Sequence, residues 1–198
     1  GDGDDSLNAG DGDKQVIGDH GEILWTDAGI VQQLRTTDTT EGGDDDIVLG
    51  EGDTIVAGGQ GADEITATLG GHQVLGDNGQ IDYDANGDVI LMQSNDADVS
   101  TAGDDIINLG AGEQRIAAGL GHDDITAADG EVHLLGDNGE LVYLDTVLIR
   151  ATATTAGEGD ADEVNLGHGR VVAILGDGDD SLNAGDGDKQ VIGDHGEI

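Results

Sequence analysis

The nine residues GGQGADEIT, positions 58–66, combine a glycine-rich turn with a short strand. Gly58, Gly59 and Gly61 suit a tight turn, because glycine adopts positive φ angles that other residues disfavour. The apolar side chain of Ile65 then stands between two polar neighbours, as in a half-buried strand. The stretch predicts one turn followed by one short strand that points a single apolar side chain into a core.

The same nine-residue spacing continues on both sides of this stretch. Apolar residues recur at this interval in three runs: Ile47, Val56, Ile65 and Val74; Ile107, Ile116, Ile125 and Leu134; Val164, Ala173, Leu182 and Val191. Gly-rich tetrads such as LGEG and LGDG lie between them. A constant register of short strands and tight turns is typical of an all-β solenoid.

Two longer periods are superimposed on this register. The strings QVIGDHGEI, QVLGDNGQI and HLLGDNGEL mark units of about 58 residues, and the first 23 residues recur unchanged at 176–198, an offset of 175. One 175-residue period therefore holds three diverged units. We expect a single continuous solenoid segment over 1–198, with a partial unit 1–42, units 43–102 and 103–159, and a partial unit 160–198. The duplication predicts a window of a longer array, the alternative being a chain that was permuted or duplicated.

The strings that follow each GDNG or GDHG motif have a different pattern. EILWTDAGIVQQL, QIDYDANGDVILMQ and ELVYLDTVLIRA each predict two strands around a short turn. Trp25, Tyr83 and Tyr143 occupy the same column of these strings and are the only aromatic residues of the chain. We expect them to fill or cap the core at one wider coil in each unit, an aromatic ligand platform being the alternative.

The chain is strongly acidic. It has 44 Asp and Glu residues against 6 Lys and Arg, for a formal net charge of −38. Such a charge opposes compaction unless cations neutralise it, and it makes nucleic acid and anionic membranes poor partners. There is no Cys, no Pro and no apolar run long enough to span a membrane.

These motifs resemble the RTX, or haemolysin-type, calcium-binding nonapeptide repeats of secreted bacterial proteins. Residues 58–66 fit the pattern G-G-x-G-x-D-x-U-x without a mismatch, and LGDNG and GGDDDIVLG are most similar to the repeats of giant bacterial surface proteins. The resemblance implies a right-handed parallel β-roll with two nonapeptides in each coil and calcium between stacked turns. Counting the wider coil, it implies about three coils in each unit of about 58 residues and about nine in each 175-residue period.

Successive turns of such a roll lie alternately on its two edges. The turns that carry the repeated aspartates therefore all lie on one edge. The positions on the other edge carry Thr54, His72, Gln114, Val132, Val171 and Lys189, none of them a carboxylate. The candidate calcium ligands on the first edge are Asp5, Asp19, Asp45, Asp63, Asp77, Asp105, Asp123, Asp137, Asp162, Asp180 and Asp194. Calcium prefers carboxylate and backbone carbonyl oxygens, and Gly-rich turns expose such carbonyls. We therefore expect a calcium column on one edge only, unlike the two-edged pattern of the family.

Two other metal sites are less consistent with the sequence. Residues 82–93, DYDANGDVILMQ, begin like an EF-hand loop, but Gln93 stands where a Glu is required, and Asn86-Gly87 is a common hairpin turn. The six histidines share no column apart from the duplicated His20 and His195, so we expect surface histidines and no zinc site.

The expected function is structural. No nucleophile elbow or phosphate loop is present, so the sequence predicts no enzyme. We expect a calcium-rigidified stalk or filament, extracellular or on a bacterial surface, whose partners are neighbouring repeats and other copies of the chain. The alternatives are a ligand-binding adhesin, an ice-binding repeat suggested by the Thr-rich returns, and the calcium-binding module of a secreted enzyme.

Overall fold

The computed structural model describes residues 1, 3–38, 40–96, 103–154 and 159–198. These residues form 20 β-strands arranged in three sheets, which we call front, middle and back. Within the described ranges no helix is long and apolar enough to cross a membrane. The all-β class expected from the nine-residue register is therefore confirmed.

The front sheet is parallel and has seven strands. In sheet order they are β1 Ser6–Gly10, β5 Asp46–Leu49, β7 Glu64–Ala67, β11 Ile106–Leu109, β13 Asp124–Ala127, β17 Glu163–Leu166 and β19 Ser181–Ala184. The register brings the central apolar residue of each strand into one row across the sheet: Leu7, Ile47, Ile65, Ile107, Ile125, Val164 and Leu182.

The middle sheet is also parallel and has seven strands. In sheet order they are β2 Lys14–Ile17, β6 Thr54–Ala57, β8 His72–Leu75, β12 Gln114–Ala117, β14 Val132–Leu135, β18 Val171–Ile174 and β20 Lys189–Ile192. Each front strand is followed in the chain by a middle strand, and we call such a pair a rung. Seven rungs, numbered along the chain, stack in order, so each nonapeptide of the sequence supplies one strand.

The core between the front and middle sheets is formed by the apolar residues that recur every nine residues. Ile47, Val56, Ile65 and Val74 are all fully buried there. Burying one such side chain contributes about 1.5–3 kcal/mol. The turns between rungs depend on glycine, since Gly59 and Gly61 have φ angles of 125° and 109°, where other residues are strained.

The back sheet is antiparallel and has six strands. Its members are three hairpins: β3 Gly21–Trp25 with β4 Val31–Thr36, β9 Gly79–Tyr83 with β10 Val89–Ser94, and β15 Gly139–Leu144 with β16 Val147–Ala153. The two-strand prediction for these stretches is confirmed, but the prediction that they form a third parallel coil is wrong. Each full unit has two rungs and one hairpin, because a turn of a few residues can join only antiparallel strands.

The back sheet covers the outer face of the middle sheet. A second core joins Ala57, Leu75 and Leu135 of the middle strands to Leu34, Ile81, Met92 and Leu141 of the hairpins. The middle sheet is thus apolar on both faces, as parallel sheets with two covered faces usually are.

The duplicated ends occupy equivalent places at opposite ends of the stack. β1 and β19 lie in the front sheet, and β2 and β20 in the middle sheet, six rungs apart. Residues 196–198, the copy of 21–23, pair with β16 through backbone hydrogen bonds between Ala151 and Ile198. One period therefore holds six rungs rather than the nine coils expected, and advances roughly 29 Å at the usual strand spacing.

Candidate functional site: an aspartate column

All eleven predicted ligands lie at one edge of the stack, where the middle strands end and the front strands begin, which we call the aspartate edge. Seven of them directly precede a front strand and form the inner column: Asp5, Asp45, Asp63, Asp105, Asp123, Asp162 and Asp180. The other four follow a middle strand by two residues and are the turn aspartates: Asp19, Asp77, Asp137 and Asp194. The single-edge placement of these carboxylates agrees with the strand topology.

The inner column is linked by hydrogen bonds from one rung to the next. The N–H of Asp45 donates to Oδ1 of Asp63 at 2.8 Å, and the N–H of Asp63 donates to Oδ1 of Asp105 at 2.8 Å. The same bond joins Asp5 to Asp45, Asp105 to Asp123, Asp123 to Asp162 and Asp162 to Asp180, at 2.9–3.1 Å. Each column carboxylate after the first therefore has one satisfied oxygen.

The second oxygen of these carboxylates is buried and unsatisfied. No group in the described parts of the chain donates a hydrogen bond to Oδ2 of Asp45, Asp63, Asp105, Asp123, Asp162 or Asp180. We call these six atoms the open oxygens. A buried polar atom without a partner costs about 1–3 kcal/mol, and more when it is charged. Six of them lie in consecutive rungs, where a positively charged group beside them would offset this cost.

Burial makes these carboxylates hard to ionise. Desolvation, and after it the charge of neighbouring aspartates, raises the pKa of Asp63 to about 8 and that of Asp162 to about 9. Burial likewise raises the pKa of Asp123 to about 8 and that of Asp105 well above its ordinary value. Near neutral pH the column therefore holds either protons or a compensating cation.

Three turn aspartates cap the turn of the following rung. Oδ2 of Asp19 accepts from the N–H of Gln60 at 2.7 Å, and Oδ2 of Asp77 from that of Leu120 at 2.8 Å. Asp137 accepts in the same way from Asp177 at 2.6 Å, and burial raises its pKa to about 7. Asp194 belongs to the last rung and is exposed. These carboxylates order the backbone whose carbonyls border the inner column.

At the positions equivalent to the inner column, neutral side chains close the opposite edge in the central rungs. Nε2 of His72 lies 2.8 Å from the Thr68 carbonyl oxygen, while Nδ1 lies 2.9 Å from Oγ1 of Thr54. Since a carbonyl can only accept, His72 carries its proton on Nε2 and accepts the Thr54 hydroxyl proton on Nδ1. The amide of Gln114 donates to the carbonyls of Gly70 and Gly110 at 3.2 and 3.0 Å.

At both ends of the stack, lysine ammonium groups donate hydrogen bonds to turn carbonyls of this edge. Lys189 Nζ donates to the Gly169 carbonyl at 2.6 Å, and Lys14 Nζ donates to that of Gly12. Val132 and Val171 occupy the same edge as buried apolar residues. On this edge the protein's own donors pair with the turn carbonyls, whereas on the aspartate edge the open oxygens lack such donors.

One buried carboxylate on the aspartate edge was not among the predicted ligands. Asp96 is 5% exposed and accepts both the side-chain amide and the backbone N–H of Asn78, at 2.9 and 3.2 Å. Its carboxyl also interacts with that of Asp77, and burial raises its pKa. A signal does exist in the sequence, because Asp96 follows Asn78 by 18 residues, the interval that separates Asp45 from Asp63.

An exposed acidic row beside the inner column was also missed. Asp4, Asp44 and Asp104 directly precede column residues, and each accepts an N–H of the next rung at 2.9–3.2 Å. The repeated Asp-Asp pairs of the sequence are its signal.

The EF-hand-like stretch and the histidines have structural roles in this fold. The EF-hand-like stretch is the turn of the hairpin β9–β10, where the Asp84 carboxylate accepts the N–H groups of Asn86 and Asp88 at 2.8 and 3.0 Å. The expectation of surface histidines is wrong for His72 and His133, which are buried in the middle sheet. Burial lowers the pKa of His133 to about 4, and its Nδ1 lies 3.1 Å from the Tyr143 hydroxyl.

Two of the three aromatic residues in this column are part of the core. Tyr83 and Tyr143 are buried between the middle and back sheets, and Tyr83 donates to Oε1 of Gln73 at 2.6 Å. Trp25 is 51% exposed, so the expectation of a core role fails there.

In the residues that the structure describes, no three His, Asp or Glu side chains converge as a ready-made metal cage. The carboxylates instead stack one to a rung, with backbone carbonyls beside them. No family model, no curated protein and no solved structure matches this chain.

Proposed function

We propose that this chain is a calcium-binding structural repeat, a right-handed parallel β-roll of the RTX type with an added hairpin layer. The observation that carries the proposal is the row of open oxygens, one in each of six consecutive rungs on the same edge. Calcium, a hard cation, takes six to eight oxygen ligands and mixes carboxylates with carbonyls. The described turns offer both kinds of oxygen.

The charge distribution favours cations over a basic partner as the source of compensation. The open oxygens are buried, so only a small ion can reach them. The carboxylates with open oxygens would come from Asp45, Asp63, Asp105, Asp123, Asp162 and Asp180, and the flanking ones from Asp5, Asp19, Asp77, Asp137 and Asp194. A bound divalent ion would offset both the local desolvation and part of the net charge of −38.

The biological role that fits these features is a rigid extracellular stalk or filament segment, on a bacterial surface or secreted. Each rung buries its apolar residues against neighbouring rungs and the hairpin layer, so stacking is the main source of stability. Its partners are then adjacent repeats and other copies of the chain, and no catalytic role is proposed.

A ligand- or ice-binding face is the second candidate. The outer face of the front sheet carries a row of mostly short polar side chains in register: Asn8, Val48, Thr66, Asn108, Thr126, Asn165 and Asn183. Thermal hysteresis, in which a solution of the chain freezes below its melting point by more than the colligative effect, would support ice binding, and its absence would leave the structural role.

Calcium-dependent stability tests the main proposal. For site affinities of about 0.1–1 mM, 1 mM calcium adds about 0.4–1.4 kcal/mol per occupied site. In a chain of this length each kcal/mol raises the melting temperature by about 2–4 °C. Circular dichroism melts in calcium and in EDTA should therefore differ by many degrees, and identical melts would contradict the proposal.

A comparison of the two edges supplies the control. Asp63→Asn with Asp105→Asn should remove most of the calcium response that depends on the central rungs. His72→Gln, which alters the opposite edge, should lower the melting temperature equally with and without calcium.

A further inference from the structure

The open oxygens are of two kinds, distinguished by the residue that faces them. In four rungs the open oxygen and a backbone carbonyl oxygen of the same rung both border one glycine of the preceding rung. The four pairs are Asp45 Oδ2 with the Gly58 carbonyl at Gly18, Asp63 Oδ2 with the Gly76 carbonyl at Gly58, Asp105 Oδ2 with the Ala118 carbonyl at Gly76, and Asp162 Oδ2 with the Leu175 carbonyl at Gly136. A Cβ at any of these glycines would overlap both oxygens.

Each pair brings together two electronegative atoms in a buried place. The four aspartates are 1–2% exposed, so water does not compensate their open oxygens. The carbonyl of each pair accepts one backbone N–H, such as that of Gly59 at the Gly76 carbonyl, and keeps a second lone pair. A positive group between the two oxygens would satisfy both.

The remaining two rungs lack the glycine. Asp123 and Asp180 follow turns in which the equivalent residues are Ala118 and Leu175, whose backbone N–H groups make the same hydrogen bond to the next rung as that of Gly58. Both side chains belong to the core between the front and middle sheets. The side chains of Ala118 and Leu175, a methyl and an isobutyl group, therefore occupy the position that is a glycine in the other four rungs. At that glycine, the oxygen pair lies directly against the backbone.

We propose that cation occupancy of the inner column follows this glycine. Divalent cations bind at Asp45, Asp63, Asp105 and Asp162, and the apolar side chains of Ala118 and Leu175 exclude them from Asp123 and Asp180. The column then holds four ions across the six rungs that carry open oxygens. This inference rests on the proposed calcium-binding function and specifies which of its sites are used.

The decisive test is a pair of matched aspartate variants of the whole chain. Asp63→Asn and Asp123→Asn each replace a buried column carboxylate by a neutral isostere that keeps the Oδ1 acceptor. Calcium bound at saturation is counted by equilibrium dialysis against calcium chloride, with circular dichroism to verify the fold. We expect wild type to bind at least four ions, Asp63→Asn to lose one and Asp123→Asn to lose none.

The glycine itself is tested by exchange. Ala118→Gly should gain one ion and Gly58→Ala should lose one. Gly193→Ala is the control for the backbone, because a Cβ at that equivalent turn position meets no other atom.

Two failures of this experiment are distinct. Equal losses from Asp63→Asn and Asp123→Asn would overturn the glycine rule while leaving the calcium-binding function in place. A wild-type chain that binds no calcium would overturn both.

Discussion

A single buried carboxylate in this fold responds to pH in the direction opposite to an ordinary salt-bridged one. The pKa of Asp63 is about 8 in the folded chain, against an ordinary value of 3.8. Between these values the unfolded chain releases its proton and the folded chain keeps it. Stability therefore falls as pH rises from about 4 to about 8, and is constant above and below that range.

We predict that the melting temperature of the chain in EDTA decreases steadily from pH 5 to pH 8. Calcium should flatten this decrease, because the ion replaces the proton on the column. His72 and His133, whose pKa values are lowered by burial, act in the opposite sense below about pH 6.5, but the raised carboxylates outnumber them.

Asp63→Asn is the variant that isolates the residue-scale effect. Without calcium it should melt at a higher temperature than wild type at pH 8, because the neutral amide removes a charge from a buried position. A melting temperature that rises between pH 5 and pH 8 in EDTA would contradict this account of the column.

At the scale of strands, the hairpins convert a two-sheet stack into three layers. Met92 of β10 is fully buried between the middle and back sheets, whereas Ile90 of the same strand is 41% exposed. The hairpin is attached to the rungs mainly through such side chains, since its backbone pairs with other hairpins.

We predict that Met92→Ala lowers the free energy of unfolding by about 2–5 kcal/mol, the usual cost of a large-to-small change in a core. Ile90→Ala should stay within about 0.5 kcal/mol of wild type. Urea denaturation measures both values. Similar losses from the two variants would mean that the back sheet does not pack as described.

Strand positions were predictable because each nonapeptide carries both its turn glycines and its apolar residue, as in residues 58–66. The direction of the hairpins was not recognised, since strand alternation has the same period in parallel and antiparallel sheets. The short connection at Asn86-Gly87 was the informative signal. The burial of His133 also escaped prediction, because its strand is covered on a second face only once the hairpins are placed.

The aspartate edge was predictable in place but not in detail. The alternation of turns between the two edges places Asp63 and Asp105 on the same edge. This assignment does not depend on the direction of the hairpin strands. The backbone bond that occupies Oδ1 and leaves Oδ2 open depends on the stacking distance of the rungs, which no sequence pattern specifies. Asp96 was missed because it lies in a return without nonapeptide motifs.

At the scale of the whole molecule, charge is distributed unevenly across the three layers. All six basic residues belong to the middle and back sheets or to the turn before β18: Lys14, Arg35, Arg115, Arg150, Arg170 and Lys189. The front sheet has none, so its outer face is uniformly acidic or neutral. In an array of such periods, the same asymmetry would recur in each period.

We predict that a chain of two 175-residue periods is longer than one period by roughly 29 Å, the advance of six rungs. Small-angle X-ray scattering in calcium measures this as an increase in maximum dimension with an unchanged cross-section. An increase in both the maximum dimension and the cross-section would contradict continuous stacking.

The direction of the backbone hydrogen bonds between rungs has a mechanical consequence. They run along the stacking axis, so a force on the two ends loads the rungs in series and detaches them one at a time. Successive column aspartates are separated alternately by about 40 residues and by 18. Each detached rung should therefore lengthen the chain alternately by roughly 130 Å and roughly 60 Å. Stretched as a single molecule, the chain would extend in alternating long and short steps. Each long step would mark the release of one hairpin.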